Sequence, residues 1–158
     1  MATEDPTATQ PTLATDLYQF ENADVWAEDD ESARLQAYFP LTPGMPNASG
    51  IEPESLMMVC LEIAPGDHLP IHTDSNEELL IVTQGTVEAS IGDRTVELDT
   101  GSCAVVPKMA PHGMRNVGDE PARVLGIFPD TDVTATFETA LMPFETNVVT
   151  IGGDDQGA

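Results

Sequence analysis

Four side chains in this sequence have the types and spacing for metal chemistry: His72, Asp74, Glu78 and His112. The chain has three histidines in all, and two of them are in this set. The segment GDHLPIHTDSNEELLIVTQG runs from Gly66 to Gly85, and GSCAVVPKMAPHGMRN runs from Gly101 to Asn116. If His72 and Asp74 lie on one strand, the two-residue period puts both on the same face. Glu78 opens the next apolar run after the short turn SNE, so a hairpin is expected to carry it back beside them. His112 follows a further apolar run. Two imidazoles and two carboxylates converging on one face suit a single divalent ion. The carboxylates favour the harder candidates, Fe²⁺ or Mn²⁺, with Zn²⁺ or Ni²⁺ as possible alternatives.

The elements that must position these groups read as strands. Short apolar or β-branched runs occupy 35–39, 55–63, 77–84, 86–91, 94–98, 103–107 and 122–128, each bounded by Gly, Pro, Asp or Asn. Residues 86–91 alternate polar and apolar, and Gly92-Asp93 supplies a two-residue hairpin loop. The middle of the chain has no helical period and no internal repeat. Short strands at this spacing predict a sandwich or barrel. Residues 21–34 are acid-rich and read as a solvated loop or a short helix anchored by Trp26. Residues 129–151 either close or extend the barrel, or form an arm exchanged in a dimer.

The two segments resemble the paired motifs of the cupin superfamily. The first matches G-x5-H-x-H-x3,4-E-x6-G at Gly66, His72, Glu78 and Gly85, and the second matches G-x5-P-x-G-x2-H-x3-N at Gly101, Pro107, His112 and Asn116. The resemblance implies an all-β fold, the double-stranded β-helix or jelly-roll barrel. It also implies a metal ion in the barrel mouth held by His72, Asp74, Glu78 and His112, and a homodimer. Two positions depart from the pattern. Asp74 stands where the family usually has its second metal-binding histidine, and either ligates or caps the turn. Met109 stands where the second motif usually has glycine, a position that serves backbone conformation. The expected activity is that of a metal-dependent enzyme on a small organic molecule, with dioxygenase-type oxidation favoured over isomerisation or decarboxylation. Glu78 is the expected catalytic group. The alternative is a non-catalytic binding or sensing module. His72 and Asp74 with His112 also mimic the facial triad of 2-oxoglutarate oxygenases, but the chain is short for that class and Glu78 fits the ordinary cupin better.

Other residues bound these readings. About 13 Å of extended chain separates His68 from His72. His68 is therefore expected at the rim, where it and Arg115 are the candidates to contact substrate. Arg123 is expected to pair with surface acids, and Glu77 to be solvated. Met57, Met58, Met114, Phe128 and Trp26 are candidates to point inward. Cys60 and Cys103 sit in apolar runs and are expected to be buried free thiols.

At 158 residues the chain holds one domain. It is read as a tail over 1–15, a barrel over 16–151 with motif one at 66–85 and motif two at 101–116, and a second tail over 152–158. With 28 acidic and 5 basic residues the net charge is −23, which disfavours nucleic acid and anionic membranes as partners. Together with the scarcity of lysine, it suggests a salt-adapted, halophilic protein. No signal peptide or membrane-length apolar run is seen, so a cytoplasmic location is expected.

Overall fold

The computed structural model describes residues 13–152, apart from Phe20, residues 43–44 and residues 46–48. The tails expected over 1–15 and 152–158 therefore lie almost wholly outside the described residues.

Among the described residues there are twelve strands: β1 (Ala23–Ala27), β2 (Asp30–Tyr38), β3 (Met57–Ile63), β4 (His68–Asp74), β5 (Glu78–Gln84), β6 (Thr86–Ile91), β7 (Arg94–Asp99), β8 (Cys103–Val106), β9 (His112–Asn116), β10 (Ala122–Phe128), β11 (Asp132–Met142) and β12 (Thr146–Gly152). They lie in the order β7-β6-β9-β4-β11-β1-β2-β3-β10-β5-β8, and β12 pairs with β11. Every pairing is antiparallel. The sheet curls into a nearly closed barrel whose two edges, β7 and β8, are joined by a short turn. No helix among the described residues is long and apolar enough to cross a membrane.

Alternation drives the closure. In β10, Ala122, Val124, Gly126 and Phe128 are buried while the residues between them are partly exposed. Strand β2 does the same with Ala33, Leu35 and Ala37. Each fully buried Val, Leu or Phe contributes about 1.5–3 kcal/mol relative to exposure, so only the in-facing set of each strand specifies register. The loop Gly92-Asp93 joins β6 to β7 at the pair Ile91↔Arg94, as the hairpin reading expects.

Three expectations are corrected. Residues 21–34 are neither loop nor helix but most of β1 and β2, with the acids largely on the outer face of Val25, Ala27, Ala33 and Leu35. Trp26 faces away from the barrel interior, and the Arg34 guanidinium lies 5.0 Å from its ring centroid. Cys103 is exposed because β8 is an edge strand paired only with β5, whereas Cys60 is buried. Residues 129–151 close the barrel, the first of the two readings: β11 fills the place between β4 and β1 in the same chain.

Candidate metal centre

Neighbouring strands β4 and β9 carry the two histidines, with His72 and His112 directly paired in register. Asp74 lies two residues beyond His72 on the same buried face. Glu78 does not arrive by a hairpin. Strand β5 pairs with β10 and β8, not β4, so the SNE turn carries the chain across the barrel and Glu78 reaches the histidines through its interior. All four residues are buried.

The Nε2 of His112 lies 3.0 Å from Asp74 Oδ2 and 3.1 Å from Glu78 Oε1. His72 Nε2 lies 3.7 Å from Asp74 Oδ2. His72, Asp74 and His112 offer ligand atoms all within 4.8 Å of one another. Glu78 stands beside this set, in contact with His112. Each imidazole is fixed from behind: Nδ1 of His72 meets the Pro70 carbonyl at 2.8 Å, and Nδ1 of His112 meets the Ala110 carbonyl at 2.9 Å. A carbonyl only accepts, so each Nδ1 carries its proton and donates. In the neutral tautomer both Nε2 lone pairs then face the carboxylates, as a metal-binding imidazole requires. Phe137 of β11 stacks on His72 with ring centroids 4.5 Å apart and planes 17° from parallel.

Asp74 Oδ2 supplies a test of fit. It is buried, and among the described residues no donor reaches it with hydrogen-bond geometry, although His112 Nε2 is only 3.0 Å away. A buried, unsatisfied carboxylate oxygen is costly, and a cation between it and the two Nε2 atoms would remove that cost. Two imidazole nitrogens and one or two carboxylates fit a divalent ion of the Fe, Mn, Zn or Ni kind. The titration properties agree with a crowded, desolvated cluster. Burial, helped by the neighbouring His112 charge, pushes His72 down to about 4. Burial raises Glu78 to about 7. For His112, burial opposes the charge, but Asp74 and Glu78 outweigh it and hold the imidazole up at about 10.

Other motif positions build the support. Asn116 is buried; its amide donates to the carbonyls of Ile63 and Glu120 and its Oδ1 accepts from the Gly118 amide, pinning the end of β9. Met109 has φ +64°, the left-handed conformation that glycine usually takes, and its amide donates to the Asp74 carbonyl at 3.0 Å. Gly126 was not singled out by the sequence. An ideal Cβ on it would overlap Glu78 Oε2. Its one signal was a glycine at an in-facing position of an otherwise apolar strand.

The cluster opens on a cavity of about 1070 Å³, lined by His72, Asp74, Glu78 and a mostly apolar wall. His68 and Arg115 do not line it. They pair across β4 and β9 and border a second cleft of about 460 Å³, with Asp30 and Glu88, that meets the first at Leu69 and Phe137. A register shift between Leu69 and His72 is responsible: the extra residue in β4 turns His68 to the side opposite His72. Phe128 lines the large cavity, whereas Met57, Met58, Met114 and Trp26 do not. Arg123 Nε donates to Glu62 at 2.8 Å, and Glu77 is exposed, both as expected.

Residues 59–128 match the family described as the cupin domain. No curated protein sequence matches the chain. Among solved structures, the polyketide cyclase RemF from Streptomyces resistomycificus aligns with a TM-score of 0.58 at 16% identity, over 75% of this chain and 79% of that one. Oxalate decarboxylase from Bacillus subtilis, described with Mn(II) centres, gives 0.60 at 20% identity over 82% and 33%. Recombinant oxalate oxidase in complex with glycolate gives 0.51 at 22% identity over 52% and 46%, so this chain spans just under half its length. Identities this low speak for the fold alone. They join the two motifs and the barrel topology in one conclusion: residues 59–128 carry the cupin domain match, and the fold is the cupin jelly-roll barrel.

Proposed function

We propose that this protein is a metal-dependent enzyme acting on a small organic molecule inside the barrel, with dioxygenase-type oxidation favoured over isomerisation or decarboxylation. The observation that carries it is the set His72, Asp74 and His112 at the wall of a large cavity, with ligand atoms within 4.8 Å of one another. A structural ion would be closed in on all sides, whereas catalysis needs open positions facing a pocket. These three residues, with Glu78 beside them, would hold one divalent ion, Fe²⁺ or Mn²⁺ by preference. When bound, the ion would supply Lewis acidity and, for iron or manganese, redox capacity.

The protein's own groups divide the remaining work. The backbone carbonyls of Pro70 and Ala110 fix the imidazoles, and Phe137 holds the His72 ring. Glu78 borders the cavity with its acidity weakened by burial, so it is the group suited to take or give a proton at a carboxylate oxygen. The apolar wall keeps water away from a bound molecule. RemF is a cyclase and other neighbours are oxalate enzymes, so the shared barrel does not choose the reaction. The homodimer and the cytoplasmic location remain part of this proposal.

Elemental analysis of the purified protein is the first test, beside Asp74→His and His112→Ala variants. About one equivalent of iron or manganese, lost in His112→Ala and kept in Asp74→His, supports the reading. Oxygen uptake during a substrate screen then separates oxidation from the other reactions. A protein that purifies empty and refuses added metal overturns the enzyme reading.

A further inference from the structure

We propose that the barrel cavity takes a neutral, largely apolar ring compound bearing a hydroxyl or carbonyl at one end, and that it rejects small carboxylates such as oxalate. The proposal rests on the metal-dependent reading above and names its substrate class.

Charge is the first argument. None of the five basic residues lines the cavity. Arg34 is engaged by Asp24, Arg123 by Glu62, and Arg115 borders the second cleft. Among the described residues, the ionisable groups that line it are His72, Asp74, Glu78 and Asp132. A divalent ion facing the Asp74 and Glu78 carboxylates is already neutralised, since two positive charges meet two negative ones. A dicarboxylate would then leave two uncompensated negative charges in a desolvated space with no cation to meet them. Buried unpaired charge of this kind is strongly unfavourable. Asp74 is decisive, because a neutral imidazole at that position would leave the ion's surplus positive charge available to an anion.

Size and surface are the second argument. A volume of about 1070 Å³ lies at the upper end of ordinary small-molecule sites, roughly 300–1,000 Å³. A two-carbon acid would leave most of it empty. The described wall is built from Leu35, Val59, Leu61, Phe128 and Leu141 among others, and Phe39, Phe137 and Phe144 bring further aromatic surface. Phenylalanine rings favour ring-on-ring contact at offset or edge geometry. The polar groups gather at the His72, Asp74 and Glu78 end, which favours a ligand with an oxygen at one end and carbon elsewhere.

The test is a fluorescence titration of the full chain in high salt with N-phenyl-1-naphthylamine, an uncharged probe, with and without one equivalent of Zn²⁺. Competition uses 2-naphthol and, separately, oxalate. Ala37→Phe and Leu35→Trp add bulk to the cavity from β2, away from the cluster. Circular dichroism checks that each variant folds, and elemental analysis follows its metal. The expected result is probe binding that weakens about tenfold or more in the filled variants at unchanged metal content. Naphthol should displace the probe, and oxalate at about a hundredfold excess should not. Binding that is indifferent to both folded variants, or displacement by oxalate as effective as by naphthol, overturns the proposal. Should one variant misfold, the other and the competition still decide. A protein that binds probe in this pattern but refuses metal supports the ligand class while removing the metal reading.

Discussion

Gly126→Ala isolates the room that β10 leaves for Glu78. The new methyl would overlap Glu78 Oε2, with Val59 Cγ2 at 3.2 Å and Glu78 Cδ at 3.3 Å. The glycine has no positive φ, so the backbone itself accepts alanine. By chain entropy alone the substitution should stabilise the protein by about 0.4–1 kcal/mol. Against this stand overpacking, about 1–3 kcal/mol, and a displaced carboxylate that leaves His112 Nε2, worth another 1–3 kcal/mol or so when buried. The steric side wins, with a net loss of about 3 kcal/mol and a fall in Tm of roughly 6–12 °C for a domain of this size. Affinity for Mn²⁺ should fall about 10- to 100-fold, as when a group supporting metal ligands is lost. Gly118→Ala is the control, because its Cβ would meet nothing nearer than Asn116 Oδ1 at 3.5 Å. Differential scanning calorimetry and metal titration read both variants. If Gly126→Ala melts and binds metal like the parent, Glu78 is not held where its contacts place it, and its assigned role fails with it.

Other perturbations probe different parts of the same frame. Met109→Gly should stabilise the protein by about 0.5–1 kcal/mol, because relief of the left-handed conformation outweighs the added freedom of the unfolded chain. Met109 is 54% exposed, so little packing is lost, and a lower Tm would refute the account. Metal uptake should release about one proton per ion near pH 8, since Asp74 and Glu78 keep His112 protonated there and the ion must take its Nε2 lone pair. Calorimetry in buffers of different ionisation enthalpy measures this, and affinity should weaken as pH falls; affinity independent of pH contradicts it. Thiol labelling of the native protein near pH 8 should modify Cys103 and spare Cys60, whose pKa burial pushes up to about 12. Equal labelling of both would mean that β3 opens readily. With a net charge of −23, Tm should rise between dilute buffer and about 1 M KCl, and a salt-independent Tm would remove the salt-adapted reading.

The metal-type residues were legible because ligand spacing is a property of sequence. His72, Asp74, Glu78 and His112 could be named before any strand was placed, and the structure brings them together. Other features depended on partners that sequence does not display. Acids on the outer faces of β1 and β2 hid the buried alternation of Val25, Ala27, Ala33, Leu35 and Ala37, since a strongly acidic chain writes charge wherever it meets water. Cys103 sits in an apolar run, yet that run became an edge strand with one open side. The SNE turn looked like a hairpin, but the in-facing residues of β5 are satisfied across the barrel and not beside β4.

His68 shows most clearly why the remainder was hidden. Counting by twos from His72 would put both histidines on one face, and the inserted residue between Leu69 and His72 breaks that count. Gly113 accommodates the bulge from the facing strand, because a Cβ there would come within 2.6 Å of the Leu69 carbonyl oxygen. The bulge therefore needs two residues distant in sequence, and no local pattern in β4 announces it. Its consequence is functional. By turning His68 away from His72 while keeping Leu69, His72 and Asp74 inward, it leaves the inner cavity lined by one imidazole, His72, and by the carboxylates of Asp74, Glu78 and Asp132, with no further basic group. The same irregularity that defeats the sequence count thus sets the charge balance that a bound molecule would meet.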